Sequence, residues 1–149
     1  MGAGTDTITN LTTGAGAVSL TFGAGNDTIT NFTTHGAGVV SFKFGAPGAA
    51  TQSLTFAATT ANLNANDVFD FATNVTSVVT GAANGTNGVA GAAGQLFVDT
   101  TTLAGGTIVT FDADGSRTFS AGDVQITITG NVLGFGIDAS GNAYVSASA

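Results

Sequence analysis

Apolar and polar residues alternate along the first third of the chain, and glycines punctuate the alternation at fixed places. Asp6-Thr7-Ile8-Thr9 and Asp27-Thr28-Ile29-Thr30 each follow a Gly-Ala-Gly turn, and so do Val18-Ser19-Leu20-Thr21 and Val40-Ser41-Phe42-Lys43. A period of two predicts short strands with one buried face. The glycines predict turns, because glycine alone reaches positive φ without a steric cost. The unit also copies itself. Gly2-Ala3-Gly4-Thr5-Asp6-Thr7-Ile8-Thr9-Asn10 returns 21 residues later as Gly23-Ala24-Gly25-Asn26-Asp27-Thr28-Ile29-Thr30-Asn31, and a worn third copy begins at Gly45-Ala46-Pro47-Gly48. Repeats of about this period read as a solenoid in which each repeat is one coil. Here each coil has two halves, one carrying Asp and one carrying Val at the same place in the frame.

The fold class that follows is all-β: an N-terminal parallel β-roll or solenoid, capped by a C-terminal antiparallel β region. The roll should be right-handed. Stacking places Ile8 over Ile29, Leu20 over Phe42, Phe22 over Phe44, Leu11 over Phe32 and Asn10 over Asn31. Thr columns face out, and the third coil decays through Pro47 and Thr51–Phe56. Two regions are expected, 1–56 for the roll and 57–149 for capping and assembly. In the second, strands are expected at Asp67–Phe71, Thr73–Thr80, Gln95–Asp99, Gly106–Phe111, Val124–Thr129 and Asn142–Ser146. Gly81–Gly94 reads as a loop or a flat edge. A thin coil cannot bury its apolar face alone, so each coil depends on its neighbours.

Composition narrows the function. The 149 residues hold nine Asp and no Glu, against Lys43 and Arg117, for a net charge of −7. Charged residues are only 7%, and 43% are hydrophobic, including eleven Phe, so the chain should fold rather than remain an acidic disordered tail. The acidic balance argues against nucleic acid, whose phosphates need Lys and Arg. No apolar run approaches the roughly 20 residues of a membrane helix, and membrane insertion is not expected. The opening residues show no leader of the Sec type. With no Cys, no Glu and one His, there is little from which to build a nucleophile or a tuned base. His35 reads as a loop residue, and no enzyme is expected.

Two constellations suit a hard cation. The frame G-x-G-x-D-x-U-x, where U is a large apolar residue, is the core of a calcium nonapeptide. It supplies Gly4, Asp6, Gly25 and Asp27 as a candidate site on the roll. Calcium takes six to eight oxygens, so successive turns must share an ion. The competing reading is a calcium-free roll in which Asp6 and Asp27 cap turns. The second constellation runs from Asp112 to Asp123. Asp112, Asp114, Ser116, Thr118, Ser120 and Asp123 occupy positions 1, 3, 5, 7, 9 and 12, the ligand spacing of an EF-hand loop. Arg117 stands at position 6, where that loop has Gly, and Asp at 12 is shorter than Glu. Strand-like flanks place this loop in a β-hairpin. The competing reading is an Asp-rich turn with an Arg117–Asp pair.

Gly2–Asn10 and Gly23–Asn31, with Gly14–Thr21 and Gly36–Lys43 in part, resemble the calcium-binding β-roll of the RTX (repeats-in-toxin) family. The resemblance covers about the first third of the chain. It implies coils that bind calcium and fold after export. The first glycine of the family frame is missing in both Asp-bearing copies, the Val-type halves lack Asp, and the coils carry extra residues. One or two ions near Asp6 and Asp27 are therefore expected. Asn66–Phe71 is similar to the D-x-F segments that close such rolls, although turn capping is the favoured reading of Asp67 and Asp70. Gln95–Gly130 is similar to the block that follows rolls in proteins exported by the type I route. The Thr/Ala/Gly-rich, Cys-free, acidic composition resembles RTX-bearing surface-layer proteins.

The resulting expectation is a secreted, cell-surface structural protein that assembles with itself into a layer, filament or matrix. Calcium is its cofactor, and cell-surface polysaccharide is a further partner. The alternative is a calcium-binding folding and secretion module of a larger toxin, adhesin or hydrolase. Self-association is expected through Val18, Leu20, Val39 and Phe42, read as an apolar outer face, and through Gly81–Gly94.

Overall fold

A computed structural model of the chain describes residues 1–34, 36–45, 48, 50–57, 63–81 and 92–148. Among these, twelve strands form and no helix. They are β1 (Thr7–Thr12), β2 (Val18–Phe22), β3 (Gly25–Thr34), β4 (Val40–Phe44), β5 (Gln52–Phe56) and β6 (Val68–Asp70), then β7 (Ser77–Thr80), β8 (Gln95–Asp99), β9 (Thr107–Asp112), β10 (Val124–Ile128), β11 (Leu133–Ile137) and β12 (Ala143–Ser148). The first six alternate between two sheets. One sheet has the order β1-β3-β5-β10-β9-β8-β7 and the other the order β11-β12-β6-β4-β2. The chain therefore winds through three coils, each with one strand in either sheet.

The expected columns are present. β1 and β3 pair in parallel with Ile8 opposite Ile29 and Asn10 opposite Asn31. β2 and β4 pair in parallel with Val18, Leu20 and Phe22 opposite Val40, Phe42 and Phe44. The third coil does not lose this order. Thr28 pairs with Thr55 and Phe42 with Phe69, so both strands of the coil carry the same offset of 27 residues. The extra residues lie in the connections. Parallel winding thus runs past residue 56 into β6, and β10 extends the first sheet by pairing in parallel with β5. Antiparallel pairing begins beyond it, between β10 and β9, β9 and β8, β6 and β12, and β12 and β11.

One apolar core joins the coils to the C-terminal strands. Its centre is a ladder of rings. Phe22 stacks on Phe44 with centroids 5.6 Å apart, Phe44 on Phe71 at 5.5 Å, and Phe71 on Phe111 at 4.6 Å. A second ladder runs from Phe42 to Phe69 at 5.1 Å and on to Phe135 at 5.8 Å. Such pairs add about 0.5–1.5 kcal/mol each beyond the area they bury. Phe42 is fully buried here, and Val18 and Leu20 pack against the core. The expected outer face of Val18, Leu20, Val39 and Phe42 is therefore corrected: period-two alternation turns Val18, Leu20 and Phe42 inward, and only Val39 is exposed. His35 and residues 82–91 of the Gly81–Gly94 stretch lie outside the described residues.

β11, Leu133-Gly134-Phe135-Gly136-Ile137, is not among the strands expected from the sequence. The tertiary context explains it. A Cβ at Gly136 would sit 2.6 Å from the Tyr144 ring, so the tyrosine of β12 lies across the glycine. An aromatic covering a strand glycine restores contacts the missing side chain cannot make.

At the corners of the roll the backbones of successive coils nearly touch. A Cβ at Gly23, Gly25, Gly36 or Gly38 would fall onto the carbonyl oxygen of Gly2, Gly4, Gly14 or Gly16, respectively. The first-coil glycines have nothing within 4 Å of theirs. Gly38→Ala should therefore cost about 1–3 kcal/mol, the usual range for overpacking. Gly16→Ala, at the same corner one coil earlier, should stay within about 0.5 kcal/mol of the parent. Denaturant titration of the two variants checks this, and equal losses would contradict it.

Candidate metal centre

β9 ends at Asp112 and β10 starts at Val124, so the loop between them is the connection of an antiparallel hairpin, with Val124 opposite Phe111. The three aspartates of the loop converge. Asp112, Asp114 and Asp123 each offer a carboxylate oxygen, and these lie within 4.8 Å of one another. Asp112 and Asp123 are fully buried, whereas Asp114 is exposed. The hydroxyl residues join them. Ser120 Oγ donates to Asp114 Oδ2 and to Asp123 Oδ2, both at 3.2 Å. Ser116 Oγ donates to the Thr118 carbonyl at 3.0 Å and lies 3.3 Å from Thr118 Oγ1 and 3.2 Å from Ser120 Oγ. All six residues expected from the spacing are thus drawn into one network.

Backbone amides hold the buried carboxylates. Asp112 accepts from Gly115 N–H at 2.6 Å and Arg117 N–H at 3.0 Å. Asp123 accepts from Ala113 N–H and Ser120 N–H, both at 2.8 Å. Arg117 adopts φ +62°, the left-handed conformation that glycine takes at the sixth position of an EF-hand loop. For an L-residue this costs roughly 1–2 kcal/mol, offset here by the hydrogen bond to Asp112. The turn thus forms despite the missing glycine. Burial raises the Asp123 pKa above the ordinary carboxylate value, and the charge of Asp112 adds to the rise. Hydrogen bonds from the Ser116 hydroxyl and amide lower that of Asp114.

The donor set fits a hard cation. It contains only oxygen, carries three carboxylates, and places two of them where an uncompensated charge is costly. A carboxylate has about four acceptor positions, so amide bonds leave room for a metal bond on each. Asp112, Asp114 and Asp123 would supply the charge, with Ser116, Thr118 and Ser120 as neutral oxygens. Calcium would offset the repulsion among the carboxylates and fix the loop. A depression of about 320 Å³ opens beside the loop, lined by Asp114, Ala113, Ala121 and Gly122 with Asn74 and Gly94.

The roll site is arranged differently. Gly4 and Gly25 both have positive φ, at +120° and +127°, and hold the corner that precedes each strand. Asp27 is buried, and its Oδ1 accepts the Asp6 N–H of the preceding coil at 3.1 Å. Burial raises the Asp27 pKa, opposed by that amide and reinforced by the neighbouring charge of Asp6. At the same phase the third coil carries Leu54, so no third carboxylate joins the column. Among the described residues, the hairpin loop is the one group of three acidic or metal-binding side chains close enough for a shared ion.

Asp67 repeats the arrangement of Asp27. It is buried, its Oδ1 accepts the Val40 N–H of the coil before at 2.9 Å, and its Oδ2 accepts the Asn64 N–H at 2.9 Å. Asp70 caps a turn through the Ala72 N–H. The favoured capping reading of this pair agrees with the geometry, with one addition. Asp67 also ties two coils together, which only its equal phase with Val40 could have signalled. Asp99 is a further buried acid without a chemical partner set. Burial acts to raise its pKa, but hydrogen bonds from Thr101 and Thr102 prevail and hold it at about 2.

Two measurements follow. Asp114→Ala removes a candidate ligand while leaving every buried amide satisfied, so calcium affinity by titration calorimetry should fall by about tenfold or more with the calcium-free melting temperature nearly unchanged. Asp112→Ala strands two amides and should lower calcium-free stability by about 1–3 kcal/mol for each group left unpaired. Calcium affinity that is equal in Asp114→Ala and parent would remove the site. The second measurement concerns pH. Asp27 and Asp123 have folded pKa values above their unfolded ones, so the folded state binds protons more tightly. Stability then falls as pH rises through the window between the two values. Asp99 has the opposite sign, and its contribution is lost as pH falls from about 4 toward 2. In chelator, the melting temperature should rise on acidification into the carboxylate range, toward the ordinary value of about 4, and drop below it. Calcium should flatten the first limb. A steady decline from pH 7 downward would contradict the assignment.

No protein-family model matches the chain, and neither a curated protein nor a solved structure matches it.

Proposed function

We propose that the chain is an extracellular, cell-surface building block that assembles with itself into a layer, filament or matrix, with calcium stabilising its β-structure. The observation that carries this reading is the makeup of its sheet edges. Among the described residues, β1 and β7 end one sheet and β2 and β11 the other, and none of these four strands contains a charged residue or a proline. Proteins that stay apart usually blunt such edges with Lys, Pro or a covering segment. A repetitive chain with 7% charged residues, no Cys, no Glu and a single His also suits a structural role better than catalysis. The net charge of −7 opposes assembly, and calcium would screen and bridge it. Cell-surface polysaccharide is the proposed anchor, with the depression beside Asp114 as the place to examine first.

The reading as a calcium-binding folding and secretion module of a larger protein draws on the first coil, whose corner glycines have nothing within 4 Å and would accept a preceding coil of a longer chain.

Sedimentation and electron microscopy separate the two. The building block should form ordered assemblies at micromolar protein in millimolar calcium and dissociate in chelator. A monomer at high protein concentration under both conditions would reject assembly and favour the module.

A further inference from the structure

The two ends of the molecule match in strand direction. In the first sheet β3, β5 and β10 run parallel to β1, β9 runs opposite, β8 reverses again, and β7 is parallel to β8. β7 therefore points the same way as β1. In the second sheet β4 and β6 follow β2, β12 runs opposite, and β11 reverses once more. β11 therefore points the same way as β2. β7 and β11 also lie against each other. Among the described residues, the far end thus presents one strand in each sheet, with the polarities of a coil.

The near end lacks what the second coil has. Ile29, Phe32, Val40 and Phe42 are fully buried, while their first-coil counterparts Ile8, Leu11, Val18 and Leu20 are only partly so. Asp27 reaches across to the coil before it, whereas Asp6 Oδ2 is enclosed and has no hydrogen-bond partner. Asn10 Oδ1 accepts from Asn31 Nδ2, which leaves the Asn10 amide group to donate outward. Thr28 N–H bonds to the Asp6 carbonyl, so the alternation of a parallel pair turns the Thr7 and Thr9 amides to the free side.

The geometry points to a head-to-tail junction between copies of this chain, in which β1 and β2 of one copy pair in parallel with β7 and β11 of the next. The junction continues between chains the coil-to-coil interface that already exists within one. Matching polarity selects this arrangement over a two-fold dimer of near ends, which would make β1 antiparallel to its mate and break the columns. A heterologous contact of this kind does not close on itself and produces a filament. This inference rests on the self-assembly reading and names its contact surface.

The test uses edge-blocked variants. Thr9→Pro with Ser19→Lys blocks the near end, because proline removes an outward amide and lysine guards β2. Val79→Lys with Ile137→Lys blocks the far end. Each variant alone should sediment as a folded monomer, with circular dichroism like that of the parent. An equimolar mixture should give a species of twice the monomer mass, since one free end of each kind remains. Undiminished assembly by either variant would overturn the junction while leaving self-assembly standing. A monomeric parent would overturn both. A second set protects against loss of folding. Thr9→Cys and Val79→Cys, in a chain with no other cysteine, leave the edges able to pair. A short thiol cross-linker should join 9 to 79 in mixed assemblies, and predominance of 9-to-9 or 79-to-79 products would overturn the proposal.

Discussion

The close stacking of backbone on backbone at the corners of the roll is the constraint on which the rest depends. Glycines of the second coil lie so near the carbonyls of the first that no side chain fits between them. This fixes both the distance and the register of successive coils. Once register is fixed, equal residues meet: Ile8 with Ile29, Phe22 with Phe44, Asn10 with Asn31. The stack of Phe22 on Phe44 then follows, and so does the reach of Asp27 to an amide of the coil before. Register set by glycine therefore turns a simple repeat into a packed core.

Aspartate serves two purposes on this frame. Within the roll, buried Asp27 and Asp67 hold backbone amides and add little that a metal could use. In the β9–β10 hairpin, Asp112 and Asp123 also hold amides, but a third carboxylate and three hydroxyl residues meet them there. Burial without a countercharge makes that loop costly when ionised, and this is the condition under which a divalent ion stabilises most. Among the described residues, the convergence of carboxylates that could hold a cation is thus in the hairpin and not in the repeat that first suggested one.

Much of the architecture was legible because the repeat carries phase. Offsets of 21 and 22 residues placed the columns of the first two coils correctly. The third coil was harder to see, since its offset of 27 hides Thr55 and Phe69 from a fixed period. β11 was hidden by two glycines whose strand depends on Tyr144, a contact made only in the folded chain. The convergence of the hairpin aspartates was legible from oxygen spacing alone, although Arg117 obscured the turn that its own backbone makes. The role of Asp67 was not visible, because its partner Val40 is 27 residues away. The apolar outer face expected from the sequence was misplaced, since alternation sends Phe42 and its column into the core. What is left uncovered is the end of the stack.

Hydrogen–deuterium exchange, followed by mass spectrometry on monomeric and assembled protein, addresses that end most directly. The account predicts fast exchange of the outward amides of β1 and β11 in the monomer and strong protection of both on assembly in calcium, with β3 and β5 protected throughout. Protection of β1 already complete in the monomer, or unchanged exchange at β1 and β11 in the assembled protein, would contradict it.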